Sequence, residues 1–394
     1  MQRNLLSAKH FFLLGLMTLT LSGCSGMKSN PWSPSGSTSQ NTIAQPAITP
    51  PPVAGQTIPR QAKIALLLPL TGKGAETGRA MLNASQLAMF DMNATSLFEL
   101  RPEDTGRGAS VAMSNAISNG TNLILGPVFS ADTKTITPIA LQNGLNVVSF
   151  STDTSAAVGN TFLMGFLPQA QVNSVLAYAN SMGLKRIALI APRDVYGDSV
   201  ATTYSIFKQR FALDGAGLIR YAANALPTAA DLSQLKSGVD AVLIAAPAIE
   251  AHKISNLLTD AGYPPTMVKR LGTGLWVQAE ATKLSGLQDA WYAASSPRLR
   301  TRFEQRYFQT YGTQPPRLAS LAYDATALAV VLAKSGQGFG RDTLTNPNGF
   351  AGIDGIFRFS PDGLADRGLA IIGIKDGTSV VLQDAPQRFG ETSQ

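Results

Sequence analysis

A single cysteine, Cys24, and two histidines, His10 and His252, stand among 394 residues. One thiol excludes an internal disulfide framework and any cluster of thiolate metal ligands. His10 falls in the opening segment. That leaves His252, followed by Lys253 on a helical stretch with no paired nucleophile, as the only imidazole of the body. A histidine-based triad or metal site has almost nothing to build on. No carboxylate spacing points to a catalytic pair, so the inventory reads as that of a non-enzyme with no metal and no cofactor. Beyond the opening segment no apolar run is long enough to span a bilayer. The formal charge of +7, from 32 basic and 25 acidic side chains, is only mildly basic, and part of it lies near the N-terminus. It does not argue for a nucleic-acid partner. The length suits two lobes better than one core.

The N-terminus has a targeting shape. Arg3 and Lys9 supply a positive region, Phe11 to Leu21 an apolar stretch too short to span, and Ser22 and Gly23 small residues that a signal peptidase can accommodate. The run Leu21-Ser22-Gly23-Cys24 resembles the lipobox of bacterial lipoproteins. The resemblance implies a signal peptide over residues 1–23, cleavage between Gly23 and Cys24, and a diacylglyceryl thioether on Cys24. Several acyl chains then hold the protein to a membrane, where one alone would be marginal. Ser25 follows in place of Asp, which by resemblance to lipoprotein sorting favours the outer membrane of a Gram-negative envelope, on its periplasmic face. Residues 24–61 are rich in Pro, Ser, Thr and Gly, with few large apolar side chains to offset chain entropy. They read as a disordered tether.

Folded sequence begins near Lys63. "KIALLLPL" is a continuous apolar run ending in proline, the pattern of a strand buried on both faces. A helical stretch over 72–93, "NLILGP", a helix over 131–143 and "NVVSF" continue an alternation of strands and helices, which predicts a parallel sheet covered on both sides. The design then repeats. "IALIAP" matches the strand ending at Pro69, and "DAVLIAAP" the one ending at Pro127. Near the C-terminus "GIFRFSPDG" reads as a strand entering a Pro-Asp-Gly turn. In two-lobed α/β proteins the ligand sits beyond the carboxyl ends of the strands, between the lobes. Thr71, Ser130, Ser151, Thr152, Tyr196 and Thr273 fall at such ends.

"LLLPLTGKGAETG", "ILGPVFSADT", "VVSFSTDT", "VYGDS" and "SLAYDA" together resemble type I periplasmic binding proteins of the leucine/isoleucine/valine-binding group. The resemblance runs over residues 62–389 and implies two Rossmann-like lobes joined by three crossovers, preceded by the tether and followed by a short tail at 390–394. Lobe 1 is expected over about 62–166 and 295–349, lobe 2 over about 167–294 and 350–389. The crossovers are then expected near 166–169, 294–297 and 349–354. "GFLPQAQ", "LGTGLW" and "LTNPNGFAGIDGIFRFSPDG" resemble, more narrowly, the penicillin-binding protein activator lipoproteins. That implies regulation of a peptidoglycan synthase. The additional N-terminal helical-repeat domain of the better-known activators has no counterpart here. The alternative is the substrate-binding lipoprotein of an importer, with an ABC permease as partner and a small amino-acid-like ligand.

By resemblance to branched-chain amino-acid receptors, Ser130 and the loop Ser151, Thr152, Asp153 would hold the α-carboxylate and α-ammonium, with Tyr196 facing them. Ser130 also suits a plain helix cap. In those receptors the second lobe adds an acid for the ammonium, whereas the loops here, Ala245-Ala246-Pro247 and Gly272-Thr273-Gly274, hold none. Asp153 or Asp194 would have to substitute, though each equally suits a turn or helix start. Gly72, Gly74 and Gly78 follow a strand, but Lys73 is out of frame for a P-loop, so a tight turn is expected. Arg298, Arg302 and Arg306 recur on one helical face with Arg300 beside it, a candidate surface for an acidic partner or a solvated face.

Overall fold

The computed structural model describes residues 61–390 except 236 and 278. The expected signal peptide, lipidation at Cys24, tether and 390–394 tail fall outside the described residues, apart from residues 61 and 390 themselves. Two sheets organise the described chain. The first is built from β1 (Ala62–Leu68), α1 (Ala75–Asp91), β2 (Phe98–Asp104), α2 (Ala109–Ser118), β3 (Leu123–Leu125), α3 (Ser130–Gln142), β4 (Val147–Ser149) and β5 (Thr161–Leu163). Its five strands are all parallel, in the order β2-β1-β3-β4-β5.

The second follows from α4 (Pro168–Ser181), β6 (Arg186–Pro192), α5 (Val195–Arg210), β7 (Asp214–Tyr221), α6 (Ala229–Leu232), β8 (Ala241–Ile244), α7 (Ala248–Asp260), β9 (Lys269–Gly272) and β10 (Trp291–Ala294). Strands β7-β6-β8-β9-β10 repeat the neighbour order of the first sheet. The chain then returns through α8 (Pro297–Tyr311), α9 (Ala319–Ser335), α10 (Arg341–Leu344) and the hairpin β11 (Phe357–Phe359) and β12 (Ala365–Arg367). It ends on β13 (Ala370–Lys375) and β14 (Thr378–Gln383), which extend the second sheet in the antiparallel sense. Among the described residues no helix is long and apolar enough to cross a membrane.

The repeated strand-then-proline signature has a steric cause. At the turn after β1, a Cβ on Gly78 would stand 2.0 Å from the Pro69 carbonyl oxygen. A Cβ on Gly197 would stand 1.9 Å from that of Pro192. In each lobe the helix that follows the first strand, α1 or α5, therefore begins pressed against that strand's end, which only glycine permits. Gly72 and Gly74 carry positive φ in the same turn, the tight reversal expected there.

The lobe assignment differs from expectation in one place. Phe357 and Phe359 are buried in the core of the first lobe, where Phe359 lies 5.3 Å from Phe162, and Leu163 bridges Leu364. Burying two phenylalanines contributes about 1.5–3 kcal/mol each, more than any local preference of the hairpin turn. The third crossover thus runs through Gly368 and Leu369, not 349–354, and residues 350–367 belong with lobe 1. The first two crossovers lie at 164–167 and 294–297, near the expected positions.

The crossovers are held by a buried ionic cluster. Asp354, fully buried, pairs with Arg317 (2.8 Å) and lies 3.8 Å from Arg300, and Ser320 donates to its other oxygen at 2.6 Å. Burial works to raise its acid, but the charges of Arg317 and Arg367, the Ser320 bond and then Arg300 together hold its carboxyl below the usual carboxylate range. Arg317 also stacks 3.5 Å over the Phe166 ring and donates to Ser295, joining the first two crossovers. Arg367, on the third, donates to the Met164 carbonyl of the first. Arg300 is therefore directed inward to Asp354 and Glu304 and does not belong to an exposed arginine face. Asp324, also buried, accepts the Ile353 N–H at 2.8 Å. Burial first, and then the charge of Asp354, push its acid up to about 7.

Two outcomes follow from these contacts. Gly78→Ala and Gly197→Ala are each expected to cost about 1–3 kcal/mol in chemical denaturation, as forced overpacking does; unshifted midpoints in both would mean that the helix starts yield freely. Asp324 is raised above its unfolded value of about 3.9, so its contribution is complete below that pH and is lost as pH rises toward 7, at no more than about 1.4 kcal/mol per unit. Asp324→Asn is expected to flatten the decline of the melting temperature between those limits, and an unchanged slope would contradict the assignment.

Candidate functional site

A cleft of about 690 Å³ opens between the lobes at the carboxyl ends of both sheets, and residues of all three crossovers line it. The first-lobe wall comes from the start of α3 and the loop after β4. Ser130 is the first helical residue and not the cap, a position held by Phe129 without a side-chain bond. The Ser130 hydroxyl makes no hydrogen bond among the described residues and stands at the cleft wall. Ser151 is buried, its hydroxyl accepting the Asp153 N–H at 3.1 Å, while Thr152 is exposed.

Asp153 lines the cleft but is already engaged. Lys134 pairs with it at 2.7 Å, and Ser155 donates both its N–H and its hydroxyl. Those bonds, Lys134 first and Ser155 next, hold its carboxyl below the ordinary range. Asp194 is likewise committed, capping α5 through the Gly197 N–H at 2.7 Å. Both acids serve the turn and helix-start roles weighed for them. Among the described lining residues the second lobe supplies no carboxylate.

The second-lobe wall presents Tyr196, Ser199, Gly274 and Leu275. The Tyr196 hydroxyl shares a 2.8 Å hydrogen bond with Thr273, and burial pushes it above the usual tyrosine range. Thr273 itself is fully buried and does not line the cleft, so its observed role is to position Tyr196. Thr71 is also displaced from the expected site: it is exposed, away from the cleft, with its hydroxyl on Asp104 at 2.7 Å. Of the seven candidate cleft residues, the structure brings Ser130, Ser151, Thr152, Asp153 and Tyr196 together.

Sequence reasoning missed Gln171, Arg317 and Arg367. Gln171 accepts the Gly274 N–H at 2.7 Å and donates to the Phe166 and Leu167 carbonyls, tying the second-lobe wall to the first crossover. Arg317 and Arg367 are the cationic residues of the lining, and nothing in their sequence neighbourhood marked them, since Arg317 lies between α8 and α9 and the third crossover was expected at 349–354. His252 accepts the Gly286 N–H at 3.1 Å, a structural link outside the cleft. Among the described residues no group of three His, Cys, Asp or Glu is placed to hold a metal. On α8, Arg306 pairs with Asp91 at 3.1 Å, whereas Arg298 and Arg302 are exposed and make no ion pair among the described residues.

No curated protein matches the sequence. Among solved structures, a candidate branched-chain amino acid ABC transporter from Rhodospirillum rubrum superposes with a TM-score of 0.72 at 18% identity, covering 82% of this chain and 100% of that one. The leucine-binding protein LivK from Thermotoga maritima gives 0.57 at 22% identity, over 81% of this chain and 97% of that one. The C-domain of LpoA from Haemophilus influenzae, described as a regulator of PBP1A, gives 0.63 at 18% identity, over 82% of this chain and 100% of that one. At such identities the likeness is one of fold. A family model described as periplasmic binding protein matches residues 61–378. With that match, two lobes of repeated parallel order and the cleft between them, the chain belongs to the periplasmic binding protein family and has its type I fold.

Proposed function

We propose that the protein is a lipid-anchored regulator of binding-protein design, not an enzyme, that activates a peptidoglycan synthase of the penicillin-binding class by direct contact. The observation that carries this reading is the cleft's lack of an anionic partner for an ammonium group. No second-lobe carboxylate lines it among the described residues, and Asp153 is held by Lys134 and Ser155. An amino-acid ammonium placed there would lose its water with nothing to offset a penalty of several kcal/mol. Delivery of free amino acids is therefore disfavoured, and the fold is free to serve as a scaffold.

The lipobox at Cys24 and the tether over 24–61 support a protein held on the periplasmic face of the outer membrane and reaching toward a synthase. The likeness to the LpoA C-domain, whose described role is regulation of PBP1A, is in keeping with it. Arg298 and Arg302, exposed and without ion pairs among the described residues, offer an acidic partner two cations one turn apart. One observation favours the importer reading instead: Ser130 and Tyr196 face each other across a cleft of solute size.

With the full chain in detergent, a purified bifunctional synthase is expected to polymerise glycan faster. The doubly reversed variant Arg298→Glu, Arg302→Glu is expected to need roughly tenfold more protein for the same effect, about 1.4 kcal/mol of contact. Calorimetry with Leu, Ile or Val is expected to show no binding. Micromolar binding of one of them, with a synthase indifferent to the protein, would reverse the two readings. Separately, Cys24→Ser is expected to abolish palmitate labelling in cells, and retained label would refute the lipobox.

A further inference from the structure

The charged side chains lining the cleft are Asp153, Arg317 and Arg367. Asp153 is neutralised by Lys134 at 2.7 Å. The two arginines are not matched in the same way. Arg300 has Glu304 at 2.7 Å and shares Asp354 with Arg317, so one buried carboxylate serves two guanidinium groups. Arg367 makes no ion pair among the described residues. It is 5% exposed, and its Nε and Nη1 have no hydrogen-bond partner. Its charge acts on the buried Asp354 and Asp324 without a direct ion pair, and it lies 5.4 Å from the Phe166 and Phe357 rings, so it adds positive potential behind Arg317 rather than a contact of its own.

Arg317 is the accessible member of the pair. About a third of its side chain (31%) remains exposed, and one face of the guanidinium is already covered by the Phe166 ring. Asp354 and Ser295 fix its orientation. A planar, fixed guanidinium is the side chain best suited to a carboxylate. Around it the lining is apolar, with Phe129, Phe150, Leu275, Leu318 and Leu369. The cleft thus offers positive charge at its hinge end, an apolar body and no anionic group for an amine.

We propose that the cleft binds small carboxylic acids with an apolar body and no amino group, the carboxylate meeting Arg317 at the hinge with Arg367 behind it. The pose is distinct from one in which the carboxylate sits on Ser130 at the start of α3. The inference does not rest on the regulatory reading, since it concerns binding alone.

The test uses matched compounds on the full chain in detergent, by calorimetry: 4-methylpentanoate, its amide, and L-leucine, which is the same acid with an amino group added. The acid is expected to bind at least about tenfold more tightly than either the amide or leucine, the scale of a charged hydrogen bond. Arg317→Gln is expected to remove the acid's advantage over the amide, a discrimination that a purely structural loss would not erase selectively. Ser130→Ala is expected to leave affinity within about threefold, as loss of a contact the acid does not make. Equal binding of acid and amide, tighter binding of leucine, or no binding of the acid overturns the proposal. So does a loss on Ser130→Ala that Arg317→Gln does not share. Should Arg317→Gln fail to fold, the acid–amide comparison on the unaltered chain decides alone.

Discussion

A carboxylate taken wholly out of water must be paired, and Asp354 meets that requirement where the chain passes between its lobes. Arg317 and Arg300 converge on it, Ser320 donates to it, and Arg317 then reaches Ser295 and covers Phe166. Removing the acid would leave two partly buried guanidinium groups without the carboxylate they share. The crossovers, the hairpin that carries Asp354 toward lobe 1 and the floor of the cleft are therefore set by one charge. The same constraint explains why the cleft's cations stand at its hinge end and not on its outer walls.

Each lobe solves a second problem in the same way. The first strand ends in proline, the next helix starts against that proline's carbonyl, and a glycine makes the approach possible. That arrangement brings the starts of α1 and α5 to one end of each sheet, where the loops after the other strands also gather. Two sheets of like neighbour order, facing end to end, leave a cleft with no further instruction.

Much of this was legible from the chain alone, because continuous apolar runs closed by proline mark buried parallel strands. The repeat was visible for the same reason. Strand β2 was not, since "FELRPED" is polar and carries a proline, as an edge strand tolerates. The hairpin was expected, but its allegiance was not, because local sequence does not say which core receives Phe357 and Phe359. Helical spacing placed Arg300 beside an exposed face, and only the fold brings Asp354 under it. Thr71 and Thr273 share strand-end positions with the true lining residues, yet one turns to Asp104 and the other lies beneath Tyr196. The lone acid in the apolar run "FAGIDGIF" was the best available sign of the ionic cluster.

The stacking of Arg317 on Phe166 has a mechanical consequence. Arg317 and Phe166 lie beside the crossovers, where the distance from a hinge axis through them is shortest, whereas the cleft walls formed by the starts of α3 and α5 lie farther out. A rotation that shifts the contacts beside the crossovers by a fraction of an ångström moves those walls farther, in proportion to their radius. Stiffness against opening is then concentrated in a few groups around one aromatic ring. The outer walls are left free to differ in chemistry without altering how the lobes swing.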